Sequence, residues 1–120
     1  MRRGDVVLVD LDPALAGEAA KLRPAVVVSN EGANLAVERL GRGTITVVPV
    51  TSNVSRVFDA FQVPIFGDDD LTAAGLRVPS KAQAEQVRSI SAARVRRVVG
   101  RLPAPLLASV DAALRFHLSL

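Results

Sequence analysis

Two short runs of strand-forming residues, each joined to reactive polar groups, constrain this chain more than any other feature. Arg23-Pro24-Ala25-Val26-Val27-Val28-Ser29-Asn30 sets an arginine immediately before an apolar strand. Val47-Val48-Pro49-Val50-Thr51-Ser52 sets two hydroxyls immediately after one. A continuous β-branched run, rather than an alternating one, predicts a strand buried on both faces. If the two strands pair, one guanidinium and two hydroxyls meet at one rim of a sheet. A guanidinium grips a phosphate through two parallel hydrogen bonds, and hydroxyls serve the remaining oxygens. That set suits an RNA phosphate better than any other common substrate.

The chain has 120 residues, which predicts one domain spanning 1–120. A chain of this length buries roughly two-thirds of its unfolded surface, enough for a core without staples. Aliphatic residues supply that core, because there are only four Phe and no Trp or Tyr. Cysteine is absent, so disulfides and thiolate metal sites are excluded. The opening Met1-Arg2-Arg3-Gly4-Asp5 leads into a strand rather than an apolar leader. No apolar run approaches the roughly 18 residues that a membrane span needs. The expectation is a soluble, cytoplasmic protein with no membrane partner.

The charge is unevenly spread. Residues 77–101 hold seven bases (Arg77, Lys81, Arg88, Arg94, Arg96, Arg97, Arg101) and a single acid, Glu85. The remainder has eight bases and eleven acids. A basic stripe on an otherwise slightly acidic chain is the usual footprint of a polyanion surface. The plainer alternative is a solvated strand face with outward arginines.

Along the chain, residues 6–10 read as a strand closed by Asp12-Pro13, and 13–22 as a loop. Residues 24–29 are the next strand, 30–38 a short helix and 41–43 a turn. Strand formers fill 44–50, followed by a polar loop over 52–60. Residues 61–66 form a short strand in which Pro64 points to an edge or bulge. Residues 67–70 read as a turn and 76–79 as briefly extended. Residues 81–91 are ambiguous, with the composition of a helix and a partial strand alternation. Residues 94–101 are strand-like. Pro103 and Pro105 stand where a helix starts, and Leu106, Leu107, Val110, Ala113, Leu114 and Leu118 form its apolar stripe. Five to seven short strands with a terminal amphipathic helix predict a small, partly open barrel.

Several chemistries are absent. The one histidine, His117, sits at the end of the terminal helix, so a two-histidine acid–base nuclease is excluded. No zinc spacing and no phosphate-cradling glycine motif occurs. Asp68-Asp69-Asp70 has the ligand type for Mg²⁺, but three consecutive carboxylates are far more often a solvated loop.

At Arg23-Pro24-Ala25-Val26-Val27-Val28-Ser29-Asn30 the sequence resembles the MazF/PemK/Kid toxin endoribonucleases. Arg3-Gly4-Asp5-Val6 resembles the family's first strand, and Asp10-Leu11-Asp12-Pro13 its exit into the first loop. Glu18 and Arg23 fall in that loop at the family's spacing, and Val48-Pro49-Val50-Thr51-Ser52 resembles the block carrying its catalytic threonine. Lys81-Ala82-Gln83-Ala84-Glu85-Gln86-Val87-Arg88-Ser89-Ile90 resembles the later strand with its Gln-x-Arg-Ser. The resemblance runs nearly end to end. It implies an SH3-like barrel of the CcdB/MazF/PemK type with a C-terminal helix, a homodimer, and cleavage of single-stranded mRNA without metal or cofactor. It also implies inhibition by a cognate antitoxin with an acidic disordered tail, and it resolves residues 81–91 as strand. The first strand has Val7, Leu8 and Val9 where the family commonly has aromatics, so base recognition is expected to rest on polar groups.

The resemblance carries catalytic roles onto Arg23 and Thr51. A guanidinium relieves charge on the pentavalent phosphorane and is too strongly protonated to be a base. The threonine hydroxyl donates to a phosphoryl oxygen. Ser52 assists, and Glu18 is the candidate base or the group that orients Arg23. Lys21, Arg56, Lys81, Gln83, Gln86 and Arg88 are the candidate RNA contacts. Two other classes compete. A gyrase-poisoning toxin on the same barrel, like CcdB, acts through a C-terminal tryptophan that this chain lacks. A non-catalytic nucleic-acid-binding barrel would bind RNA without creating new ends.

Overall fold

The computed structural model describes residues 1–11 and 21–120. Seven strands form one sheet: β1 (Asp5–Asp10), β2 (Leu22–Val27), β3 (Thr44–Thr51), β4 (Gln62–Ile65), β5 (Ser80–Gln83), β6 (Arg88–Ser91) and β7 (Val95–Arg101). Three α-helices, α1 (Glu31–Leu40), α2 (Asp68–Ala74) and α3 (Ala104–Leu118), interrupt and close the chain. The strand order is β4-β5-β3-β2-β1-β7, with β6 also pairing β3, and every pairing is antiparallel. The sheet curls without closing, as a partly open barrel.

β2 behaves as its unbroken apolar run requires. Ala25, Val26 and Val27 are fully buried between β1 and β3. Alternate residues feed two cores. Val6, Val26, Val48 and Val50 meet α2 and α3 through Leu71, Ala74, Val110 and Ala113. Val7, Val9, Val27, Val47 and Ile45 form the second core with Val37 of α1.

Pro49 sits in the middle of this sheet, a position proline usually avoids. The Val28 amide donates to the Thr46 carbonyl at 2.9 Å, so even-numbered β3 amides face β2. Pro49 therefore turns its missing N–H toward the other neighbour. There the pairing is already interrupted: Val47 pairs with Arg88 of β6, Val50 with Ala82 of β5, and a 3₁₀ turn (Ala84–Gln86) separates them. The ambiguous 81–91 segment is thus strand, turn and strand, and each half of its mixed composition is used.

Two expectations are corrected. Residues 67–70 are not a turn but the entry into α2, where Asp68, Asp69 and Asp70 fill the first helical turn. Carboxylates there meet the positive end of the helix dipole, which favours helix over a free loop. Residues 76–78 form no strand, and only Ser80 onward pairs with a neighbour.

α2 lies unusually close to β7. A Cβ on Gly75 would stand 2.2 Å from the Val99 carbonyl oxygen, and one on Gly100 would stand 2.4 Å from the Ala74 carbonyl carbon. Gly75 also closes α2 in the left-handed region, with φ 71°. Gly41 closes α1 with φ 68° but has open space around its Cβ position. Gly41→Ala is therefore expected to cost only the left-handed strain, about 1–2 kcal/mol. Gly75→Ala adds a backbone clash and should cost at least about 1 kcal/mol more. Urea unfolding of the two variants checks this; equal losses would show that the α2–β7 approach is not tight.

Candidate active site

The register of the central strands assembles the site. Ala25 pairs with Pro49, Val26 with Val48 and Val27 with Val47. Continued two residues toward the rim, the same register sets Arg23 opposite Thr51. Arg23 also pairs with Val9 of β1, Thr51 with Lys81 of β5, and Lys81 with Pro64 of β4. Thr51 and Lys81 are thus paired neighbours at the rim, and Arg23 shares a cleft with Thr51. Opposed residues project to the same face.

Two clefts meet at this rim, and Arg23 lines both. The larger, about 470 Å³, also contains Thr51, Ser52, Ser80, Arg77 and Arg97 between walls that include Leu8, Leu76, Val78 and Val99. No carboxylate of a described residue lines it. The smaller, about 320 Å³, holds Gln83, Gln86 and Arg88 beside Leu11 and Pro49. Arg23, Thr51 and Ser52 are therefore brought together, and Gln83, Gln86 and Arg88 stand on the other side of Arg23. Lys21 is exposed one residue before β2. Glu18 lies outside the described residues.

Thr51 is prepared to donate. Its Oγ1 accepts the Asn53 amide at 3.1 Å, a local turn typical of hydroxyl residues. A hydroxyl has one proton and two acceptor positions, so this bond uses an acceptor position and leaves the proton for a ligand.

The loop after Thr51 is held from below. Lys81 is 8% exposed, and its ammonium donates to the Arg56 carbonyl. Buried Gln62 accepts the Phe58 amide at 3.0 Å and donates to Glu85 Oε1 at 3.0 Å. Above them, Phe58, Phe61 and Phe116 stack in sequence, with ring centroids 5.2 and 6.4 Å apart. The Arg56 guanidinium lies 5.7 Å from the Phe58 centroid. Lys81 and Arg56, both expected to touch RNA, bond to each other and tie the 52–61 loop to the sheet, while Phe61 and Phe116 tie it to α3. Gln62 was not singled out from sequence, because its partners are Phe58, four residues earlier, and Glu85, across the sheet.

The basic stripe divides. Arg94 donates to the Asp10 carbonyl at 3.0 Å, Arg96 lies 3.9 Å from the Asp10 carboxylate, and Arg101 pairs with Asp5 at 3.1 Å. These three fasten β7 to β1. Arg77, Arg88 and Arg97 make no hydrogen bond or ion pair with a described residue and line the clefts. The Asp triplet of α2 lies elsewhere, and no cluster of three ligating side chains among the described residues could hold a metal. No helix among them is long and apolar enough to cross a membrane.

This division predicts different costs. Arg94→Ala removes a part-buried charged hydrogen bond and should lose about 1.5–3 kcal/mol of stability. Arg77→Ala and Arg97→Ala should stay within about 0.5 kcal/mol of the parent. Denaturant midpoints for the three variants measure the difference, and equal losses would contradict the assignment.

Comparison with known proteins identifies the family and the fold. Residues 2–118 match the family of PemK-like, MazF-like toxins of type II toxin–antitoxin systems. Endoribonuclease MazF9 of Mycobacterium tuberculosis is 55% identical over 120 residues, covering 100% of this chain and 98% of that one. Among solved structures, a MazE–MazF complex from Deinococcus radiodurans superposes with a TM-score of 0.76 at 24% identity, covering 100% of this chain and 96% of that one. A mycobacterial endoribonuclease in complex with its cognate antitoxin gives 0.75 at 19% identity, with the same coverage. At those identities the structures speak for the fold alone.

Proposed function

The chain belongs to the PemK-like, MazF-like toxins of type II toxin–antitoxin systems, and on that premise we propose that it is an endoribonuclease cutting single-stranded RNA at the Arg23–Thr51 site. The observation that supports the site is that Arg23, Thr51 and Ser52 line one cleft, which no carboxylate of a described residue lines. That arrangement suits a phosphodiester entering from solvent.

The substrate's own 2′-OH is the nucleophile. Its oxygen attacks the adjacent phosphorus as its proton passes to a base, the P–O5′ bond breaks, and the leaving 5′-oxygen takes a proton from Arg23 or from water, giving a 2′,3′-cyclic phosphate and a 5′-OH. Arg23 faces the two non-bridging oxygens as charge builds on the phosphorane, where preorganised donors count most. Thr51 donates its free proton to one of those oxygens and holds the phosphate in line. Ser52 supplies a second hydroxyl from the loop that Lys81 and Gln62 brace. Glu18 is the candidate for taking the 2′-OH proton or for orienting Arg23. Gln83, Gln86 and Arg88, in the adjoining cleft, are placed to read bases next to the scissile bond. The route uses no metal.

The partners follow from the same reading. Solved relatives are complexes with antitoxins, and a cognate antitoxin with an acidic tail suits basic clefts of this kind. Exposed Phe66, Phe116 and Leu120 leave apolar surface for a homodimer. Sedimentation at micromolar concentration should give a dimer.

Arg23→Ala and Thr51→Ala should each lower the cleavage rate by about 10²–10³ with little change in thermal midpoint. Cleavage should persist in excess EDTA, leave cyclic phosphate ends, and stop when the ribose 5′ of the scissile bond lacks its 2′-OH. A 5′-phosphate product or loss of activity on chelation would overturn the chemistry.

A further inference from the structure

We propose that the larger cleft is a second phosphate subsite, in which Arg77 and Arg97 bind the RNA phosphodiester next to the scissile one. The proposal rests on the functional reading above and adds a part of the substrate path which that reading does not assign.

Three observations carry it. First, the two arginines converge from distant parts of the chain. Arg97 comes from β7, where it pairs with Leu8, and Arg77 from the segment after α2. The Gly75–Val99 approach holds these segments together, because a side chain at Gly75 would stand 2.2 Å from the Val99 carbonyl oxygen. Val99 is two residues from Arg97 and lines the same cleft. A contact that tolerates no Cβ therefore fixes one arginine across from the other.

Second, both side chains are exposed and uncommitted among the described residues, whereas Arg94, Arg96 and Arg101 of the same strand region pair with β1. Two guanidiniums that pair with no described acid, in a cleft that no described carboxylate lines, give that cleft a positive potential that favours an anion. Third, the cleft is continuous with the reactive pair, since Arg23 and Thr51 line it too. At about 470 Å³, with apolar walls as well as arginines, it has room for one nucleotide. The neighbouring phosphate of a strand held at Arg23 and Thr51 is the anion nearest to hand.

The test separates this subsite from the cleavage reading. Thr51→Ala provides a cleavage-dead parent, and its failure to cut labelled single-stranded RNA checks that reading first. Binding of the RNA to this parent is then followed against salt. Adding Arg77→Ala or Arg97→Ala should weaken binding about tenfold at low salt. Each should also lower the log–log salt slope by about 0.7. Arg97→Lys should restore the slope, because counterion release follows charge. Arg39→Ala, on α1 and away from both clefts, should change neither quantity. An unchanged slope and affinity in the Arg77 and Arg97 variants, with RNA binding by the parent intact, would overturn the subsite while leaving the cleavage site standing. Weakened capture of an acidic peptide with RNA binding unaffected would reassign the cleft to a protein partner and overturn the proposal. A parent that binds no RNA would overturn both readings.

Discussion

The burial of β2 on both faces is the constraint on which the rest of the molecule depends. Ala25, Val26 and Val27 have no exposed surface, and alternate residues enter different cores. In a sheet a slip of one residue exchanges the two faces. Here such a slip would carry Val26 out of the core under α2 and α3 and move Arg23 off Thr51. Apolar burial at about 25 cal/mol per Å² opposes the slip over the buried half of the strand, Ala25 to Val27. The placement of the reactive pair is thus a by-product of core packing. Neither Arg23 nor Thr51 has to hold the other in place.

Fixing the rim of a sheet does not fix the loop that leaves it. Residues 52–61 acquire a defined path through polar groups that burial makes demanding. A buried ammonium is costly unless it finds an acceptor, and Lys81 finds the Arg56 carbonyl. A buried amide needs both of its ends satisfied, and Gln62 bridges Phe58 and Glu85. The phenylalanine stack then ties the same loop to α3. Polar bonds set the loop's register and aromatic contact sets its tilt. Ser52 and Arg56 are carried on a loop held by these contacts.

Much of this was legible in the sequence. β-branched runs announced β1, β2 and β3, because strands with buried residues on both faces leave no other pattern, and the valines between arginines announced the more exposed β7. The Pro103–Pro105 entry and the 3.6-residue stripe announced α3. The Arg23 and Thr51 blocks were visible because reactive groups abutted those runs. Long-range pairing was not legible. Asp68, Asp69 and Asp70 suggested a turn until Leu71 and Ala74 were seen to bury against the sheet. Residues 81–91 concealed a 3₁₀ jog that falls where Pro49, in another strand, has no amide to offer. Lys81 looked like a phosphate contact, since nothing in its neighbours discloses the carbonyl of Arg56. The basic stripe looked uniform because the acids that divide it, Asp5 and Asp10, stand some ninety residues earlier.

That division gives the charge a direction. Counted along the chain, seven bases face one acid; counted in space, two of the seven pair with carboxylates of β1, a third is held by a β1 carbonyl and one is buried under a loop. What remains is concentrated at the two clefts beside Arg23. A positive potential confined to a cleft with apolar walls is screened less than the same charges spread over a surface. It would therefore favour an anionic strand at the proposed Arg23–Thr51 site over the outer face of β7. The acids of β1 contribute twice, by fastening the last strand to the first and by removing competing positive charge from the strand's far side.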